Sequence, residues 1–230
     1  MLKKILALCL CFILLAASAL ASDLEVLSER MYVITQDDYP RIYYFRVVRN
    51  RGTSNLILPT IELDILDRDG KSMGRDNVYS SRYVLTPNTV CCYAGDYIFS
   101  DSLPGFLRQG RYPGSFRVNN SEPEETTYYD GAIYLATSCS YDLNRRDGDD
   151  YYIDVCYEND MHATVDMNMA EVYLLDDAGH IILADYDFVS ARVPGYQTQS
   201  YRFHFDESLM RIVLGNNSGI HGVYGQTYTD

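Results

Sequence analysis

Residues 61–71 read IELDILDRDGK, and residues 170–180 read AEVYLLDDAGH. In the first stretch Ile61, Leu63 and Ile65 alternate with Glu62 and Asp64. That period of two belongs to a strand with one face in a core and one in water. Each stretch ends in Asp-x-x-Gly, Asp67 with Gly70 and Asp176 with Gly179. At an offset of 109 residues Glu62 meets Glu171, Leu63 meets Val172 and Leu66 meets Leu175. Asn50 precedes Gly70 by 20 residues, as Asn159 precedes Gly179. Downstream, Pro87-Asn88 answers Pro194-Gly195 at an offset of 107. The echo predicts a tandem repeat of strand, turn, strand, Asp-x-x-Gly turn and Pro-led strand. The strand before each Asn matches better at 108, where Phe45 and Val47 meet Ile153 and Val155. A one-residue bulge would explain the slip, as would chance.

Alternation recurs elsewhere. Ile153, Val155 and Tyr157 alternate with Asp154 and Cys156, and Tyr201, Phe203 and Phe205 with Arg202, His204 and Asp206. Tyrosine is abundant at 22 residues and tryptophan is absent. Tyr, Val, Ile and Thr favour strands. No window reads as a long amphipathic helix. A short one fits Ser102 to Arg108, with Asp101 or Ser102 as cap. Turn signals such as Asn50-Arg51-Gly52 and Asp147-Gly148-Asp149 come often. Many short strands at this spacing predict an all-β fold of two tandem β-sandwich domains. The expected boundaries are 22–118 and 132–230, joined by an acidic linker over 119–131.

The pattern of strand, Asn, alternating strand, Asp-x-x-Gly and Pro-led strand resembles the FxLYD-type immunoglobulin-like domains of exported bacterial proteins. The likeness covers residues 41–100 and 150–206. The aromatic signature itself is replaced by Ile65-Leu66-Asp67 and Leu174-Leu175-Asp176. The resemblance implies immunoglobulin-like sandwiches and no catalytic residues.

The N-terminus reads MLKKILALCLCFILLAASALAS. A basic pair, an apolar run from Ile5 to Ala16 and the small-x-small end Ala19-Leu20-Ala21 make a secretory signal peptide over 1–21. No other stretch approaches the ~18 apolar residues of a membrane span. The expectation is a secreted or periplasmic protein with no stable membrane insertion after cleavage. The net charge is −13, and cleavage removes the further cations Lys3 and Lys4. A chain this acidic repels nucleic acid and anionic membranes. Export permits disulfides, and Cys139 with Cys156 would bracket residues 140–155 as a staple. Cys91 and Cys92 are adjacent, and on a strand they point to opposite faces.

Several motifs invite chemistry. Asp67 and Asp69 have the two-apart spacing of calcium ligands, but the distal Glu of a full loop is missing. The second copy, Asp176-Asp177-Ala178-Gly179, keeps only what a turn needs, Asp and Gly. Asp147, Asp149 and Asp150 make a denser acidic loop, read as a solvated hairpin tip between strands ending at about Cys139 and starting at about Tyr151. His162, His180, His204 and His221 lack metal-ligand spacing, and His204 alternates toward solvent. No G-x-S-x-G elbow is present, and Ser218 with His221 lies in a Gly/Asn-rich loop. Tyr43-Tyr44 and Tyr151-Tyr152 fit strands with one ring in and one out. Tyr128-Tyr129 falls in the linker and is the candidate interaction surface. The sequence therefore predicts a non-catalytic envelope or extracellular module. It carries no cofactor, and its partner is a protein or polymer. The alternatives are an exported hydrolase with acids at the domain interface and a calcium-dependent adhesion module.

Overall fold

A computed structural model describes residues 23–35, 40–98, 102–128, 135–147, 150–216 and 219–228. The chain is all-β in these residues, with short helices at two points. In the first half the strands are β1 (Leu24–Ile34), β2 (Arg41–Asn50), β3 (Asn55–Ile57), β4 (Ile61–Asp67), β5 (Ser72–Val78), β6 (Val84–Leu85), β7 (Val90–Ile98), β8 (Pro113–Asn119) and β9 (Glu124–Thr126). Helix α1 (Leu103–Arg108) links β7 to β8. The second half contains β10 (Ala136–Asp147), β11 (Asp150–Glu158), β12 (Val165–Leu175), β13 (Ile181–Val193), β14 (Thr198–Phe205) and β15 (Gly222–Tyr228), with α2 (Glu207–Asn216) before the last strand.

Four antiparallel sheets carry the architecture. Sheet I is β1-β2-β7 and sheet II is β5-β4-β8. Sheet III is β13-β12-β15 and sheet IV is β10-β11-β14. The order and pairing of the first two recur in the last two, including a helix before the final strand. A small sheet, β6-β3-β9, completes the first half.

One core lies between sheets I and II, where Ile42, Tyr44 and Val48 of β2 meet Ile61, Leu63 and Ile65 of β4. The other is continuous through sheets I, III and IV. It joins Tyr43, Phe45 and Val47 of β2 to Val172 and Leu174 of β12 and to Ile153 and Val155 of β11. The sheets thus stack in the order II, I, III, IV, and the halves share a core. Strands β2 and β12 are buried on both faces. They accordingly read as near-continuous apolar runs, IYYF and VYLL, and not as strict alternation.

This double burial corrects the expected slip. Tyr44 and Val48 face the core between sheets I and II, while Ile153, Val155 and Tyr157 face the other core. At the constant offset of 109, Tyr44 meets Ile153 and Val48 meets Tyr157. Phe45 and Val47 point the other way, into the junction. Matching them to Ile153 and Val155 confuses two different apolar faces, and no bulge is needed.

Three further expectations change. The stretch 119–131 is not bare linker, because β8 ends at Asn119 and Glu124–Thr126 pairs with Asn55–Ile57. Strand β10 runs to Asp147 and not to about Cys139. Helix α2 replaces a region read without a helix. Asp206 caps it, its carboxylate accepting the Leu209 amide at 2.8 Å, and Leu209, Met210 and Val213 bury one side. The shorter helix falls where expected, with Ser102 at its N-cap but no side-chain capping bond.

Candidate functional site

The two Asp-x-x-Gly stretches are turns of the same construction. The Asp67 carboxylate accepts the amides of Asp69 (3.1 Å) and Lys71 (2.9 Å). That of Asp176 accepts Ala178 (3.0 Å) and His180 (2.8 Å). Gly70 and Gly179 supply φ of 76° and 80°. The amide bonds, led by those of Lys71 and His180, hold both carboxyls below the usual carboxylate range. Arg111 further occupies Asp67 at 2.9 Å. Both carboxylates thus spend acceptor capacity on the turn backbone, as a turn requires. Asn50 and Asn159 match as closely. Each is fully buried and donates to the carbonyl four residues on, Ser54 or Ala163, and to a distant one, Leu85 or Val193.

The junction of the halves holds the chemistry that the sequence did not announce. Beyond the register shift between Met167 and Met169, Glu171 and Tyr173 lie on one face of β12 and Val172 and Leu174 on the other. Glu171 enters the junction, at 0 % exposure. Its carboxylate accepts the hydroxyl of Ser81 from the first half and that of Tyr173 at 2.5 Å. Across the same junction Tyr32 and Tyr43 donate to the carbonyls of Ile182 (2.5 Å) and Ala184 (2.8 Å). Gln226 donates to Val90 (3.1 Å) and Ser28 to Ile181 (2.8 Å). A buried acid that accepts a hydroxyl from the other half is a latch between layers. Burial pushes the Tyr173 phenol well up, and Glu171 adds to this. Burial also pushes the thiols of Cys91 and Cys92 well up. A thiol held protonated is a poor nucleophile. Reading β12 as half-buried hid the latch. The signal was the unbroken apolar run around Glu171.

A second polar group lies at one edge of the junction. Buried Arg41 pairs with Asp96 at 3.3 Å and with Asp206. Half-buried Asp185 lies near Asp96, Asp187 and Tyr43, and Tyr201 donates to Asp187. Burial, aided by Asp96 and Asp187, pushes the Asp185 carboxyl up to about 7 against the Tyr186 amide and Tyr43. The folded chain thus holds this proton more tightly than the unfolded chain does. Stability that depends on it is present below about pH 4 and declines as pH rises through 7. Asp185→Asn is expected to raise the melting midpoint at pH 8 and leave it nearly unchanged at pH 4. An equal change at both would refute the assignment.

The sequence-named residues are scattered. Cys139 stands opposite Val155, and Cys156 opposite Ser138, so their side chains leave the ladder on opposite faces. Both thiols are free, and this register does not support the expected staple. Tyr128 is exposed, and its carbonyl accepts Asn55 at 2.9 Å. Tyr129, Asp149 and Ser218 lie outside the described residues. His204 faces solvent, as its parity requires. Among the described residues no group of three or more His, Cys, Asp or Glu is arranged to hold a metal ion. Nor is any helix among them long and apolar enough to cross a membrane. No protein-family model matches the chain. No curated protein matches it significantly.

Proposed function

We propose that the chain is an exported, non-catalytic protein of two immunoglobulin-like β-sandwich units that serves as a binding or scaffolding module of the envelope or extracellular space. The observation that carries this reading is the latch at Glu171. The most buried acid of the junction is consumed in joining the halves. The pairing order supports the immunoglobulin-like part. β1-β2-β7 and β5-β4-β8 correspond to A-B-E and C′-C-F of such a sandwich, with α1 in the E–F link. Export rests on the leader over residues 1–21, and a protein or polymer partner is the expectation that follows.

Chain lacking residues 1–21, immobilised and exposed to its own envelope extract, is expected to retain one partner saturably and without turnover. Cleavage of an envelope polymer that disappears in Asp185→Asn would replace this reading with the hydrolase. That alternative is favoured by one observation, the raised carboxyl of Asp185 beside Asp96 and Asp187. The calcium-dependent adhesion module has a separate test. Melting in millimolar calcium and in chelator is expected to give the same midpoint, because Asp67 and Asp176 already accept backbone amides. A midpoint raised by calcium would restore the cation reading.

A further inference from the structure

Sheets I and III do not meet along their whole length. At the end of the junction away from Arg41 they part around a cleft of about 340 Å³. The first half contributes Leu27, Arg49 and Val90, and the second Leu175, Ile181 and Tyr224. The register fixes this composition. Val90 and Arg49 are paired across β2 and β7, and Leu175 opens the turn that Asp176 closes. The Tyr224 ring, 53 % exposed, lies 5.9 Å from that of buried Tyr173 and extends the apolar wall to the surface.

The polar group at the mouth sets the ligand class. The Arg49 side chain is 46 % exposed, and its ion pair with Glu25 is long at 3.8 Å. Glu25 is at the same time bound by Arg51 at 3.3 Å. Two guanidiniums therefore share one carboxylate. An exposed pair of that length is worth about 0–1 kcal/mol, so Arg49 can exchange it for a ligand acid in bidentate geometry. Pockets of this size at the meeting of two units, apolar with a few aimed polar groups, are where small molecules bind.

We propose that the cleft between the halves binds a small amphiphilic carboxylate. Its chain lies against Leu27, Val90, Leu175, Ile181 and Tyr224, and its acid on Arg49. This deepens the binding-module reading but uses residues apart from the outer faces. The cleft can fail while envelope capture succeeds, and the reverse.

The test is thermal melting of the chain lacking residues 1–21 with decanoate, decanol or decyltrimethylammonium, each below its micelle threshold. At a tenfold excess over Kd, decanoate is expected to raise the midpoint by about 4 °C. Arg49→Gln is expected to lose most of that rise, and Ile181→Trp, which fills the floor, all of it. Both variants should fold, since neither residue is fully buried. Three results would overturn the proposal. They are no shift with decanoate, equal shifts with decanol and in Arg49→Gln, and a shift that survives Ile181→Trp.

Discussion

Asn159→Ala is expected to lower stability by about 3 kcal/mol, from orphaned groups at about 1–3 kcal/mol each and partly relieved by water. The Asn159 amide donates to Ala163 (2.9 Å) and Val193 (2.8 Å), and its carbonyl oxygen accepts the Met161 amide (3.1 Å). Alanine removes all three bonds; the Val193 carbonyl is left buried, while Ala163 and Met161 are open to water. Asn50→Ala should cost a similar amount, because Ser54, Leu85 and Gly52 are its partners at 2.8, 2.8 and 2.9 Å. Urea denaturation measures both. A loss under about 1 kcal/mol in either would mean that the backbone rearranges to satisfy itself.

Glu171→Ala should cost more, about 4 kcal/mol, since it strands the Ser81 and Tyr173 hydroxyls and leaves a void between layers. It should also change the form of the transition. The parent chain is expected to unfold in one step, because one core runs through sheets I, III and IV. With the latch gone, the first half is expected to melt before the second. A double-mutant cycle of Ser81→Ala with Glu171→Ala should give a coupling above about 1 kcal/mol. Strict additivity would remove the latch from the account.

The all-β character was legible in the alternation, and the echo between the halves in turn chemistry. Asn, Asp-x-x-Gly and Pro occupy positions fixed by backbone geometry, and side-chain packing hardly perturbs them. Asn88 and Tyr196 even share positive φ, 62° and 59°, one residue after or two after the prolines. The junction was illegible for the opposite reason. Period-two reasoning assumes one wet face per strand, and along most of β2 and β12 there is none. Glu171 thus read as the solvent-facing twin of Glu62. Glu62 does face outward, bound by Arg75 and Asn119 at 3.2 Å. One letter on each strand, repeated at the same offset, serves two environments. Helix α2 was missed because its ten residues follow directly on an alternating strand.

The units meet front to back: sheet I of the first lies on sheet III of the second, which corresponds to sheet II of the first. Such a contact has no intrinsic end, and repeated head to tail it generates a fibre. The chemistry of the two outer faces differs from that of the junction. Where Tyr43, Phe45 and Val47 are apolar, the equivalent strand of the second unit offers Tyr152, Asp154 and Cys156. There Arg202 grips Asp154 at 2.7 and 3.0 Å and covers the Tyr152 ring at 4.0 Å. At the opposite end Glu62, Asp64 and Arg75 form an ionic ladder where Glu171 and Tyr173 are buried in the junction. Substitutions that made both outer faces apolar are expected to favour head-to-tail association.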